Sequence, residues 1–594
     1  MRWSGGKKGD RKGPRKKETD TWRNRPEACP TTIWVNDSPL SEGAEISFTR
    51  PLVSRVLSAL AEFLRHPRLR EVVLWCAPAL LAGLFLRVWL CIDMPYGHYH
   101  DDAPDFLTTP DRLIFQHAFE LHQKKTFLVP ILFTLPFALP APALITIPIA
   151  QHVLGLAMIL LIGALCRLWF TAWRVWIIPI TVLAALNPFY LWYEHTLMAE
   201  SVTVFCMLLL AFMGTQYARK PSLRRFVGLC VSLVLLAGAR PEGKLLFGFG
   251  VFLVVLVHWK ELFGKGDDGE TVGRGTGGWW RQPFHSGWGR AGILVVLGIV
   301  THFTTQTSQA GLLLYTAMAR LTPTDLSSAP GFEPYIAPIR ADLQKRWDER
   351  PQFPRVRDRK AIGAAVDKYL KAQRSKVGTK RETDVNRFCL KLAKETCLKN
   401  LSALPSLAMV KFRLVATESP AGRFDDDVLF GKQRDAVTAS VERTSRLSKG
   451  LTGVQMNDEG TLQNWVDTHY ELVPWFNRMS ERWLLKVNKY HMRNQRYENP
   501  DYPFAPIIYY GIPYYFLVAA IGMGIAVLRP GPMRAFHLSW GLALVGFFFV
   551  IMLTANVRPR FRFVFEPFWF VYIAMLLDTL WLGVWSGVRK LVRR

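Results

Sequence analysis

Long apolar blocks alternate along the chain with blocks dense in charge. Apolar runs near the roughly 20 residues that a bilayer core asks of a helix fall at 72–92, 143–165, 174–191, 196–217, 225–240, 243–258, 290–312, 506–528, 536–555 and 563–585. Each predicts a transmembrane helix, about ten in all. Only Arg240-Pro241-Glu242-Gly243 separates two of these runs, which predicts a tight helical hairpin. Residues 126–140 are also apolar, but Pro130, Pro136 and Pro140 interrupt them. That segment is expected to dip into the interface without crossing. Residues 386–415 alternate basic and apolar positions at helical spacing, as suits a helix lying on a membrane surface. The expected fold class is an all-α polytopic membrane protein with short interfacial helices in its first outer loop and a large outer insertion.

Charge sets the orientation. The chain carries 74 Lys+Arg against 47 Asp+Glu, a formal net charge of +27, which by itself suits a nucleic-acid binder or a membrane protein with basic inner loops. Position decides for the second. With the N-terminus inside, 167–174, 217–225, 259–290, 529–534 and the tail 589–594 are inner segments, each rich in Lys or Arg. Both termini are then cytoplasmic, and no nucleic-acid partner is expected. Four regions follow: a basic tail and juxtamembrane segment at 1–70, a membrane core at 71–312, an outer region at 313–505, and the last spans with a basic tail at 506–594. The mean hydropathy of +0.11 despite so much charge confirms the segregation into blocks. Eight cysteines show no zinc-type CxxC spacing. Cys389 and Cys397 could bridge across a turn, but not within one continuous helix, where they would stand roughly 12 Å apart.

Candidate chemistry gathers on the outer side. Directly after the first run, His98-Tyr99-His100-Asp101-Asp102 puts two adjacent carboxylates at the mouth of the first helix. A carboxylate there can take a proton from an acceptor hydroxyl, and with His98 or His100 the pair can ligate a metal. A solvated loop start is the plain alternative. Lys124-Lys125 opens the next apolar stretch, as a phosphate contact or as simple snorkelling. Tyr193-Glu194-His195-Thr196-Leu197-Met198-Ala199-Glu200-Ser201 joins the third and fourth runs, with Glu200 inside the start of an apolar run. Arg240 and Glu242 lie in the hairpin. Arg558, Arg560 and Arg562 break the positive-inside pattern in one short outer loop, and guanidinium forks suit phosphate oxygens.

In this order the motifs resemble the GT-C superfamily of polytopic glycosyltransferases, in particular the protein O-mannosyltransferase and lipid A aminoarabinose transferase-like group. Asp101-Asp102-Ala103-Pro104-Asp105 is similar to that group's D-E-A-x-Y, with Asp for Glu and no Tyr at the fifth place. Lys125-Thr126-Phe127-Leu128 matches a KPPL-type stretch in part, and Ala199-Glu200-Ser201 matches the Ser/Ala-Glu opening of the fourth span. Arg560-Phe561-Arg562-Phe563-Val564-Phe565-Glu566-Pro567 is similar to R-Y-R-x-P-x-x-P apart from Phe561 and Val564. The resemblance covers roughly 72–312 and 506–585; the region 313–505 departs from it.

The resemblance implies a multi-pass enzyme of the cell (inner) membrane and cell envelope. It would transfer a sugar from a polyprenyl-phosphate donor to a glycan, lipid or protein acceptor at the outer face, with inversion. Asp101 and Asp102 would be catalytic. Arg560, Arg562, Lys125 and Arg240 would hold the donor phosphate, and Glu200 and His100 would orient acceptor or sugar. Some relatives use a divalent metal and some do not, and the motifs do not decide between them. A transporter or lipid flippase using the same charged cluster is the competing class; it usually carries ionisable or broken segments near the midplane and repeated halves. A membrane assembly protein with 313–505 as a docking module is a third.

Overall fold

Buried and exposed positions separate at three- and four-residue spacing along the first long helix. On α1 (Pro67–Asp93) the buried positions are Val72, Cys76, Ala79, Gly83, Leu86, Arg87 and Leu90, while Leu74, Leu81, Phe85 and Ile92 are exposed. An apolar outer stripe of this kind suits hydrocarbon rather than water. The protein's structure, a computed structural model, describes residues 67–93, 97, 103–115, 117, 126–139, 141–170, 174–263, 286–304, 310–349, 356–377, 385–408, 505–529, 531, 533–554 and 564–592. Among them the fold is all-helical, with no strand. Among the described residues four helices are long and apolar enough to cross a membrane: Leu69–Ile92, Ala143–Trp169, Glu200–Arg219 and Glu566–Ser586. Shorter apolar helices are Leu128–Phe137, Arg174–Ala185, Gly287–Thr301, Leu517–Leu528 and Met533–Phe549.

After α1 come α2 (Ala103–Phe115), α3 (Leu128–Phe137), α4 (Ala143–Trp169), α5 (Ile177–Ala185), α6 (Pro188–Glu194), α7 (Glu200–Arg219), α8 (Leu223–Ala239), α9 (Phe247–Val257), α10 (Trp259–Phe263) and α11 (Gly287–Thr304). Helix α4 is the hub: α1, α5, α7 and α18 (Glu566–Val592) pack around it, with α3 and α6 also against it. Where α4 ends, Trp169 packs tilted or edge-on against the rings of Phe536, His537 and Tyr572 and donates to Thr215 Oγ1 at 3.0 Å. At this end Glu71 accepts from Arg167 at 2.6 Å, and Tyr217, His258, Glu261 and Arg290 form a second polar knot.

Several expectations change. The run 174–191 is not one span. It is a 3-10 turn at Arg174–Trp176, a 9-residue α5 and a separate α6. Asn187-Pro188 breaks it, because proline disfavours helix in the residue before it; α5 is roughly 14 Å long and cannot cross alone. The run 290–312 is likewise divided. Helix α11 ends at Thr304, and Ala310–Met318 is a separate helix, α12, belonging to another core. The hairpin between α8 and α9 is present and tightened by a 3-10 turn, Pro241–Leu246. Helix α3 is only 10 residues and packs on α2, α4 and α8.

That other core joins α12, α13 (Glu333–Glu349), α14 (Val356–Val377) and α15 (Val385–Lys399) around Tyr315, Phe332, Ile336, Val366, Tyr369, Phe388 and Leu392. Asn386 Oδ1 caps α12 by accepting from Gly311 and Leu312 backbone N–H groups at 2.6 and 3.1 Å. The amphipathic helix expected on a membrane surface therefore spends its apolar face on protein. In the described part of 386–415, Phe388, Cys389, Leu392 and Ala393 are buried against this core, while Leu390, Leu398 and Leu401 are exposed. Cys389 and Cys397 lie on this one continuous helix and are both free. The last helices are α16 (Ala505–Leu528), α17 (Met533–Thr554) and α18.

A buried charged cluster as candidate functional site

Between α6 and α7 the chain leaves the helix while staying inside the protein: Glu194, His195, Thr196, Leu197, Met198, Ala199 and Glu200 are all buried. Irregular backbone among membrane helices is tolerated only where protein or a cavity surrounds it. Its polar groups find partners here. Gln151 Nε2 of α4 donates to Met198 O at 2.9 Å, and Met198 N donates to Thr196 O at 2.7 Å.

Glu194 is the centre of the segment. Arg87 Nε donates to its Oε2 and Arg87 Nη2 to its Oε1, both at 2.7 Å. This is the parallel fork that guanidinium makes with carboxylate. Side-chain exposure is 3% for Arg87 and 0% for Glu194, so neither charge is hydrated and each depends on the other. His152 Nδ1 lies 3.0 Å from Glu194 Oε2, and His152 Nε2 lies 3.1 Å from His195 Nδ1. With both rings neutral, the carboxylate holds the His152 proton on Nδ1, and His195 Nδ1–H donates to the His152 Nε2 lone pair. Gly155, one turn after His152, makes room for the carboxylate: a Cβ there would stand 2.2 Å from Glu194 Oε1. Cys91, one turn after Arg87, completes a group with His152 and His195 whose ligand atoms all lie within 4.8 Å of one another. Among the described residues these three are placed to hold a metal.

Of the residues singled out from sequence, Glu200 and Arg240 are described and meet. Arg240 Nη2 stands 3.7 Å from Glu200 Oε1, and Arg240 Nε stands 3.9 Å from Glu242 Oε2. Arg240 therefore already faces two carboxylates, an arrangement suited to positioning Glu200. Asp101, Asp102, His100, Lys125, Arg560 and Arg562 lie outside the described residues. Their flanks do not. Gly97, four residues before Asp101, donates its N–H to Leu144 O at 2.7 Å, and a Cβ on it would meet Leu197 at 2.8 Å and His195 O at 3.1 Å. Phe127, two residues after Lys125, packs on Gly238, two residues before Arg240. Glu566, four residues after Arg562, accepts from Asn187 Nδ2 at 2.9 Å, just before α6. Tyr190 on α6 is within electrostatic reach of both Glu566 and Glu194.

Sequence inspection of span ends misses Arg87, Cys91, Gln151 and His152. A signal for two of them was present. Arg87 lies within the apolar run 72–92 and His152 within 143–165, and an ionisable residue inside a span is a functional candidate on that ground alone. No family model matches this chain, and no curated protein matches it.

Proposed function

We propose that this chain is an integral membrane glycosyltransferase that moves a sugar from a polyprenyl-phosphate donor to an acceptor hydroxyl at the outer face of the membrane, with inversion. One observation carries the reading. The flanks of the acidic pair, of Lys125 and of the Arg560/Arg562 pair reach one region, the buried segment 187–200 and the Arg240–Glu200 pair beside it. Asp101 takes the acceptor proton as the hydroxyl oxygen attacks the anomeric carbon. The bond from that carbon to the lipid phosphate oxygen breaks, and the phosphate leaves with the electron pair. Arg560, Arg562 and Lys125 offset its growing charge. Arg240 holds Glu200, and with Asp102 and His100 Glu200 orients the acceptor or its sugar.

The test is transfer from purified polyprenyl-phosphate sugars by detergent-purified protein. Asp101→Asn keeps the shape and loses the base, so turnover falls by about 10²–10⁴-fold. Arg560→Lys and Arg562→Lys keep the charge, lose the fork and also slow transfer. Wild-type rates in all three, with equal protein, exclude the assigned roles. A transporter is the second reading, favoured by the Arg87–Glu194–His152 chain, since such relays serve proton-coupled movement inside membranes. Proton uptake by proteoliposomes without turnover of any lipid-linked sugar selects it.

A further inference from the structure

We infer that Cys91, His152 and His195 form a binding site for a d10 metal ion, copper(I) or zinc(II), among the membrane helices. The donor set is one thiolate and two imidazoles, the ligands that these ions prefer over carboxylate-binding magnesium or calcium. Geometry agrees. Two imidazole nitrogens sharing such an ion at about 2.0–2.1 Å stand about 3.3 Å apart across a tetrahedral edge, and His152 Nε2 and His195 Nδ1 stand 3.1 Å apart. A thiolate–imidazole edge is about 3.6 Å; all three ligand atoms lie within 4.8 Å, so the sulfur closes by at most about 1 Å, well within a side-chain adjustment.

The surroundings are those of a metal ligand rather than of an ordinary core histidine. Glu194 Oε2 lies 3.0 Å from His152 Nδ1. This contact fixes the tautomer whose Nε2 lone pair points at the site, the carboxylate–histidine arrangement that supports metal-bound imidazoles. Arg87 in turn fixes Glu194 with two hydrogen bonds, and Gly155 leaves room for the carboxylate. Loading moves the His195 proton from Nδ1 to Nε2 and releases the Cys91 thiol proton. The Arg87–Glu194 charges cancel. A monovalent ion with the thiolate is then neutral, whereas a divalent one leaves a buried positive charge, so charge balance favours copper(I).

The experiment loads full-length protein in detergent along two arms, zinc(II) followed by a chelator wash and copper(I) delivered against a copper(I) chelator. Bound metal is counted by mass spectrometry. Wild type and the distant control Cys397→Ser retain one equivalent in at least one arm, and Cys91→Ser and His195→Gln lose it. Cobalt(II) substitution supplies a readout that depends on no variant's folding: a thiolate-to-cobalt charge-transfer band in the wild type. Its presence supports the site. Its absence, together with no retained ion in either arm, or full retention in a folded Cys91→Ser protein, overturns it.

Discussion

A single carboxylate, Glu194, governs the interior of the candidate site, because Arg87 and His152 both depend on it. Removing one partner of a fully buried ion pair strands the other charge, at a cost of about 3–5 kcal/mol, whereas replacing both by apolar side chains is often neutral. Arg87→Met and Glu194→Met alone are therefore expected to lower stability strongly, and the double variant to recover most of the loss. Thermal unfolding of the four proteins in one detergent measures the cycle; strictly additive losses would show that the two residues act separately. Gly155→Ala tests the same carboxylate without touching its charge. Its methyl would stand 2.2 Å from Glu194 Oε1, so the fork must open. At this scale the sequence is legible in kind but not in pairing. Arg87 can be read as an anomaly in an apolar run, yet nothing in the spacing says that its partner stands 107 positions later.

Elements were legible where the apolar period is long and uninterrupted, as in α1, α4, α7 and α18. They were misread where hydropathy stays high through a backbone break. Asn187-Pro188 divides α5 from α6, and hydropathy cannot see it because the flanking residues are apolar on both sides. The amphipathic α15 was legible as a helix but not by its partner, since a membrane and an apolar core ask for the same stripe. Its polar face makes a pH-dependent contact. Burial pulls the Glu395 carboxyl upward, but hydrogen bonds from the hydroxyls and N–H groups of Ser328 and Ser327 outweigh this and hold it at about 2. A depressed carboxylate stabilises the fold fully above its unfolded value of about 4.3. That contribution shrinks as pH falls through the interval and is gone below about 2. Glu395→Gln should therefore speed amide exchange across Val385–Lys399 at neutral pH, and the excess over wild type should vanish on acidification to about 2. An excess that is constant with pH would assign the effect to packing instead.

At the scale of the molecule, the described residues of the membrane core gather polar groups at two ends, and their sidedness decides what the cluster can do. One end holds Glu194, Glu200 and Arg240. The other holds Glu71 with Arg167, and Arg290 with Tyr217. Helix α11 begins beside the second end, where Gly287 N–H donates to Glu261 at 3.1 Å, and runs 18 residues, or roughly 27 Å, about the thickness of a bilayer core. If α11 crosses, the chain before it and the α12–α15 core after it lie on opposite sides. The basic segment 217–225 and the described flanks of 259–290, 259–263 and 286–290, belong to the Glu71 end, and lysine and arginine bias puts such segments in the cytoplasm. We therefore predict that α12–α15 and the Glu194 cluster share the outer side. Ala341 on α13 is exposed and small, which suits a labelling cysteine. In a Cys29→Ser/Cys397→Ser background, Ala341→Cys should react with an impermeant maleimide in intact cells, and Glu270→Cys only after permeabilisation. The reverse pattern would turn the molecule over. It would put the acidic pair and the arginine pair in the cytoplasm, where an activated nucleotide sugar could reach them, and the lipid-linked donor would lose its rationale.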